Sequence, residues 1–599
     1  MQRLFGSDDR AVQFSVLAIC AMLTLPFLYP YHHDPIGSFH SEWISAACGL
    51  LACLGLLSPR LWQRPAIPAI VWLPLTLAGI ALLQLALGVV VFAQQTLLFL
   101  LYLLWALLLM QLGAGLRREI GLARLADWLA GAMFTGAAAG VALALLSHSG
   151  YVTDSTLLFP KLGATAIHGN IAQSNHFADQ LWLGVASALY LALRGRVRTP
   201  IVALGLATLV AVSVLTGSRA TLAYLCALVV MAGLARLIWP GETSQRALRL
   251  TLLLVPLYVA FQVLSWLAAH SGFHDVESPA TKIAAASGAP IRLQLLVIGW
   301  EAFRSAPLLG HGIGSFPAQS LALAATVPFG APPGTVEQAH DLPVHLAAEM
   351  GFAAPVALVV MLFIWIRGNL RHARPDEDES VALGWLLAVL TVLGLHSLVE
   401  YPLWYAFFLG PTALLLGIGD VQSLPLRLGG RGRLVAGLLL LAGAFVLQTL
   451  RADYLSIERA VNPFLGGQRR TSTWEDMAPL AEPLRRHSLL YPYYCPTATS
   501  KLRLPQNLGV EALETSECAM RVFPVAVVAF RRAMILAWSG RAAEAEAAWR
   551  QTLTAYPGMA ATAAQELHTA LAAYPTAPLA SLLAIAEAAR GPAPAANSR

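Results

Sequence analysis

Apolar runs long enough to cross a bilayer recur along the chain at about 11–30, 44–58, 67–88, 94–113, 125–147, 177–193, 200–215, 220–239, 250–268, 344–366, 381–399, 404–423 and 433–450. Each comes near the ~20 residues a helix needs to span the hydrocarbon layer, and short polar links separate most of them. The pattern predicts an all-α fold: a polytopic transmembrane helical bundle of about 13 spans. Two stretches break it. A polar loop covers residues 270–343, roughly Ser271 to Pro343, and ends in Glu337-Gln338-Ala339-His340-Asp341-Leu342 before a helix-like Val344-His345-Leu346-Ala347-Ala348-Glu349-Met350. After 451 the alternation stops. Residues 452–599 carry Trp474, Tyr491-Pro492-Tyr493-Tyr494 and Ala-rich segments of helical period, which predict a soluble α-helical domain behind a transmembrane domain at 1–451.

Basic residues set the threading, because Lys and Arg in short links stay on the cytoplasmic side. One alternate set of links holds Arg3/Arg10, Arg60/Arg64, Arg117/Arg118, Arg194/Arg196/Arg198, Arg236/Arg246/Arg249, Arg367/Arg371/Arg374 and Arg427/Arg431/Arg433. The other set has no such clusters. An odd number of spans with a cytoplasmic N-terminus then puts both the His340 loop and the tail on the far side of the membrane. Tyr29-Pro30-Tyr31-His32-His33 is not a small-residue cleavage site, so the first span is expected to stay attached.

Composition agrees: of 599 residues 57% are hydrophobic and 12% charged, which excludes an ordinary soluble globule. The net charge of +6 is spread over the basic links rather than gathered on one soluble face, so no nucleic-acid partner is expected. Cys20, Cys48, Cys53 and Cys226 lie in apolar runs as small hydrophobes, whereas a periplasmic tail would let Cys495 and Cys518 close a disulfide. Within the tail, Phe530 to Trp538 and Ala542 to Trp549 flank a stop at Gly540. That pair is similar to one tetratricopeptide hairpin; a generic α-hairpin domain fits equally well.

Polar groups at span ends are costly and therefore functional candidates. Arg219, in Leu215-Thr216-Gly217-Ser218-Arg219-Ala220, falls at the far side, where no topogenic arginine is needed; a snorkelling interfacial residue is the plainer reading. Arg292 opens an amphipathic stretch that runs to Pro307-Leu308-Leu309-Gly310-His311-Gly312 and would otherwise be an interface anchor. Gln173, Asn175 and His176 crowd one span start beyond the needs of a helix cap. Glu400-Tyr401-Pro402-Leu403-Trp404, after His396, sits at another boundary, with Glu42 a further acid on that side. All of these converge on one face of the bilayer.

Together these segments resemble the O-antigen ligase and polymerase superfamily, and within it the bacterial O-oligosaccharyltransferases of the pilin-glycosylating (PglL) type. The resemblance is carried by Thr216-Gly217-Ser218-Arg219, Arg292 through Gly312, Ala339-His340-Asp341-Leu342 with Ala348-Glu349-Met350-Gly351, Gln173-Ser174-Asn175-His176, and His396 through Trp404. Their order around one long loop is the specific part; the family's usual His-Asn is His340-Asp341 here. The resemblance implies transfer of a glycan from an undecaprenyl-diphosphate carrier to a Ser or Thr hydroxyl of a pilin-like periplasmic protein. Arg219 and Arg292 would pair with the diphosphate as its charge grows, and His340 would serve as general base. Gln173, Asn175, His176, His311, Glu400 and Tyr401 would help hold donor or acceptor.

No metal or other cofactor is implied. His345 and Glu349 share a helix face without a second histidine at zinc spacing, Asp376-Glu377-Asp378 fits a cytoplasmic helix cap, and no GxxxxGK[ST] loop is present for ATP. Two rivals share the chemistry, a ligase to lipid A core and a glycan polymerase. A third, a transporter of the lipid-linked sugar, would need polar groups through the depth of the bundle.

Overall fold

Backbone groups in hydrocarbon must find their partners within the segment, and the apolar runs accordingly fold as helices. The structure, a computed structural model, describes residues 7–63, 66–150, 156–160, 166–271, 291–327, 336–372, 377–425, 430–465 and 468–589. Loop residues 272–290 and 328–335, together with Arg3, Arg64, Arg374, Asp376 and Arg427 of the predicted charge clusters, lie outside them. Among the described residues ten helices are long and apolar enough to span a membrane: Arg10–Leu28, Phe39–Leu57, Ala69–Ala86, Ala93–Ile120, Leu122–Ser149, Ala220–Ile238, Glu242–His270, Ala353–Arg371, Asp378–Ser397 and Gly430–Val461. The chain is a helical polytopic membrane protein.

The other predicted runs are also helical, each with a reason for falling short of those ten. Thr199–Leu215 and Ala406–Gly419 are apolar but shorter. Ser174–Leu193 is long enough, but Asp179 and Gln180 dilute its hydropathy, and it is buried on every side from His176 to Leu191. Leu122–Ser149, Thr199–Leu215, Ala220–Ile238 and Glu377–Ser397 surround it. The run at 344–366 is not one helix. It breaks at Gly351, which adopts φ +74, into Leu342–Met350 and Ala353–His372, so that only the second half is a span.

Small residues bring neighbouring helices close, as lipid-embedded packing requires. A Cβ on Gly113 would stand 2.5 Å from Leu414 O, which explains the tight seam between Ala93–Ile120 and Ala406–Gly419. Two short ladders, Ala66–Pro68 with Ser423–Pro425 and Phe464–Leu465 with Gln468–Arg469, are the β-structure among the described residues. At one rim the basic links meet carboxylates: Asp127 takes Arg194 at 3.3 Å and Arg196 at 2.8 Å, and Arg194 also pairs with Asp378.

Gly430–Val461 runs unbroken through position 451 into the tail, so the change in composition there is not a break in the backbone. The tail contains three successive antiparallel pairs where the sequence showed one: Tyr491–Lys501 with Val510–Val522, Ala526–Trp538 with Ala542–Ala555, and Ala560–Ala573 with Ala580–Ala589. Cys495 and Cys518 are joined across the first pair, with a Cα–Cα distance of 5.9 Å. The tail packs on the loop-bearing rim. Tyr454 stacks on Phe39 at 3.8 Å and donates to His33 O and Ile36 O, while Ala555 and Tyr556 cover Leu321 and Ala324 of the long loop.

Candidate functional site

The helix Glu377–Ser397 ends in a tight turn: the N–H groups of Val399 and Glu400 both donate to His396 O, at 3.0 and 2.8 Å. That turn places the Glu400 side chain, 7% exposed, at the meeting point of three other chain segments. Asn175 Nδ2 donates to its Oε1 at 2.8 Å, and the Arg292 guanidinium donates to the same oxygen at 2.9 Å. Nδ1 of His340 lies 2.9 Å from Oε2, at an angle well off a straight hydrogen bond. Burial alone would raise the Glu400 carboxyl, but His340 and then Arg292 outweigh it and hold the group at about 2. Glu400 is therefore an anion throughout the neutral range.

His340 sits at φ +54, a left-handed conformation that non-glycine residues rarely hold unless the surroundings fix it. The next residue is part of the fixing. Asp341 is the N-cap of Leu342–Met350, its carboxylate accepting from Val344 N at 2.9 Å, with a proline in the first turn. This accounts for aspartate where the resembled family has asparagine, since either side chain caps equally well. With Nδ1 facing Glu400, the imidazole has no hydrogen bond to Nε2 among the described residues and is 22% exposed. The Tyr401 ring stands edge-on to it at 5.1 Å. Burial is the main reason that the Tyr401 phenol is raised above its ordinary range.

The other end of that helix is anchored by the glycines of Pro307-Leu308-Leu309-Gly310-His311-Gly312. His311 N and Gly312 N donate to Ala348 O and Glu349 O, both at 3.0 Å, and Phe352 N donates to Pro307 O at 2.9 Å. Gln84, from Ala69–Ala86, ties the two strands of this clasp by donating to Glu349 O at 2.7 Å. Gly351, at φ +74, leaves no room for a Cβ, which would run into Leu308 O. Gly351→Ala is expected to unseat the clasp and cost about 2 kcal/mol or more, measured as a lower thermal unfolding midpoint in detergent; an unchanged midpoint would overturn that account.

Arg292, His340, Asn175, Glu400 and Tyr401 are thus brought together. The other expected site residues do not contact Glu400 among the described residues. Gln173 is the N-cap of Ser174–Leu193, its side-chain oxygen accepting from His176 N at 2.7 Å, so one member of that polar group does serve as a cap. His176, 4% exposed, packs edge-on to Tyr405 at 4.8 Å beneath the site and does not line it. His311 binds its own loop, with Nε2 2.8 Å from Ser305 Oγ and 3.0 Å from Ala302 O. Arg219 is exposed at the start of Ala220–Ile238 and has no ion-pair partner among the described residues. The preceding turn, with Gly217 at φ +64 and Thr216 Oγ1 accepting from Ser218 N, sets its direction.

Sequence reasoning passed over Asp179, a carboxylate at 0% exposure inside the buried helix Ser174–Leu193. Its charge in an apolar run was the available signal.

Chemically the arrangement offers an imidazole set against a carboxylate, with a guanidinium held on that same carboxylate. Such a set suits proton removal from a hydroxyl beside a polyanionic leaving group. Comparison with known proteins points the same way. Residues 204–359, which include Arg219, Arg292 and His340, match the family described as O-antigen ligase. Residues 384–571, with Glu400 and Tyr401, match that described as the C-terminal part of a virulence factor membrane-bound polymerase. The chain is 26% identical over 433 residues to a general O-oligosaccharyltransferase of Acinetobacter baylyi (strain ATCC 33305 / BD413 / ADP1), covering 70% of this chain and 72% of that protein.

Proposed function

Because the chain belongs to the O-antigen ligase superfamily, as an O-oligosaccharyltransferase, we propose that its Glu400-centred site moves a preassembled glycan from undecaprenyl diphosphate to a Ser or Thr hydroxyl of a pilin-like or other periplasmic protein. His340 Nε2 takes the hydroxyl proton as the oxygen attacks the anomeric carbon. The bond from that carbon to the diphosphate breaks, its electron pair leaves with undecaprenyl diphosphate, and the imidazolium later loses its proton to water. Glu400 holds Nδ1 and stabilises the imidazolium; Arg292 and Arg219 meet the charge that grows on the leaving group. Tyr401, Gln173, His176 and His311 shape the walls or their supports.

The observation that carries this reading is the Glu400 carboxylate, which ties Asn175, Arg292 and His340 at 2.8 to 2.9 Å from three distant parts of the chain. The orientation rests on two supports: arginines of the alternate links gather with carboxylates at the opposite rim, and Cys495 and Cys518 are joined, as suits an oxidising periplasm. In this reading residues 1–451 perform transfer at the periplasmic face of the inner membrane, and 452–599 form a periplasmic domain seated over the loop. The protein acceptor is favoured by the relative's description as a general O-oligosaccharyltransferase.

The test is transfer in proteoliposomes from purified undecaprenyl-diphosphate glycan to a pilin acceptor, without ATP or divalent metal. Glycosylated pilin is the expected product. Sugar found only on lipid A core in a parallel reaction would overturn the protein acceptor and leave a ligase.

A further inference from the structure

The helix that supplies Asn175 carries a second polar side chain one turn deeper. Asp179 is completely buried, and its Oδ1 lies 3.4 Å from Nδ1 of His396, also completely buried. Positions 175 and 179 are four apart and share a helix face. His396 is also the residue whose carbonyl accepts the N–H groups of Val399 and Glu400. One helix thus grips the same short turn twice: Asn175 at the Glu400 carboxylate, Asp179 at the imidazole where the turn begins.

Aromatic rings close the space around this pair. His176 meets the His396 ring at 5.6 Å, Phe408 at 5.8 Å and Tyr224 at 6.5 Å. Such a pair is a poor device for holding a bundle together. Polar groups at span depth are expensive, the two imidazole nitrogens and the carboxylate make no well-directed hydrogen bond among the described residues, and an apolar pair of like volume would pack the space at less cost. What the pair does supply is a 3.4 Å contact between a carboxylate and an imidazole at residue 396, where the turn to Glu400 begins.

We propose that Asp179 and His396 are positioning residues for glycan transfer, clamping the 396–400 turn from within the membrane so that Glu400 keeps His340 and Arg292 in register. The proposal rests on the reading that Glu400 orients His340. Neither residue touches donor or acceptor, so their loss should slow the chemical step and spare donor affinity.

The experiment measures kcat and donor KM in proteoliposomes for wild type, Asp179→Asn, Glu400→Gln and the double variant. Asp179→Asn is expected to lower kcat about tenfold or more with donor KM changed less than about threefold. In the Glu400→Gln background the same change should cost less than about twofold, because the turn then has nothing left to position. An equal loss in both backgrounds, or none in wild type, overturns the clamp. A Glu400→Gln variant as active as wild type would instead overturn the underlying reading of Glu400. Should Asp179→Asn not be recovered as a folded, monodisperse protein, His396→Gln is put through the same comparison, and coupling to Glu400→Gln decides by the same criterion.

Discussion

His340→Ala is expected to lower transfer by about a thousandfold or more while the protein remains folded. Three features lead there. The side chain lies in a loop and is 22% exposed, so its removal opens no core cavity. Alanine, with the same Cβ, adds little strain at φ +54, and the Asp341 cap that holds the neighbouring helix is untouched. What disappears is a partly exposed imidazole with its Nδ1 on a carboxylate and its Nε2 side left open, hence the group that takes the hydroxyl proton. A positioned general base is worth two to four decades in rate, and an unassisted Ser or Thr hydroxyl is a poor nucleophile at neutral pH. Donor KM should move little, because the diphosphate contacts assigned to Arg219 and Arg292 remain. The readout is kcat in proteoliposomes beside a thermal unfolding curve. Undiminished transfer would remove the base from His340.

Much of this arrangement was legible before the fold, and the reasons differ by element. The spans show because hydrocarbon leaves the backbone no option but a helix, so that length and hydropathy alone locate them. Asn175, Arg292, His340, Glu400 and Tyr401 show because each is polar at a rim where polarity has a cost. Between adjacent residues the signal fails. Asn175 and His176 are equally polar, yet about 100° of helix rotation sends one to Glu400 and the other into the core against Tyr405.

The break at Gly351 was hidden because the residues on both sides are apolar; only the glycine marked that Leu342–Met350 belongs to the loop. Likewise, the Ala-rich tail helices have so little contrast between faces that a single hairpin stood out, where the fold has three. Asp179 was missed for another reason: its partner His396 is 217 positions away, and no local pattern connects them.

Arg292→Ala should be the next most damaging change, lowering kcat by about two to three decades, and more than Arg219→Ala. The difference follows from where the two guanidiniums stand. Arg219 has no ion-pair partner among the described residues, so its removal costs only the charge it would offer the diphosphate. Arg292 has two tasks. One N–H group is bound to Glu400 Oε1 at 2.9 Å, while its side chain, 36% exposed, leaves other donors of the planar fork to face the leaving group. Removing it withdraws charge from the breaking bond and also strips a partner from the anion that orients His340. Lysine cannot repair both losses, since a single ammonium lacks the fork that reaches carboxylate and phosphate together. Arg292→Lys is therefore expected to recover at most about a tenth of the lost rate, whereas Arg219→Lys, replacing an unpaired charge with another, should recover most of it. Matched recoveries in the two lysine variants, read from kcat at saturating donor, would reduce Arg292 to a simple point charge and separate it from the Glu400 network.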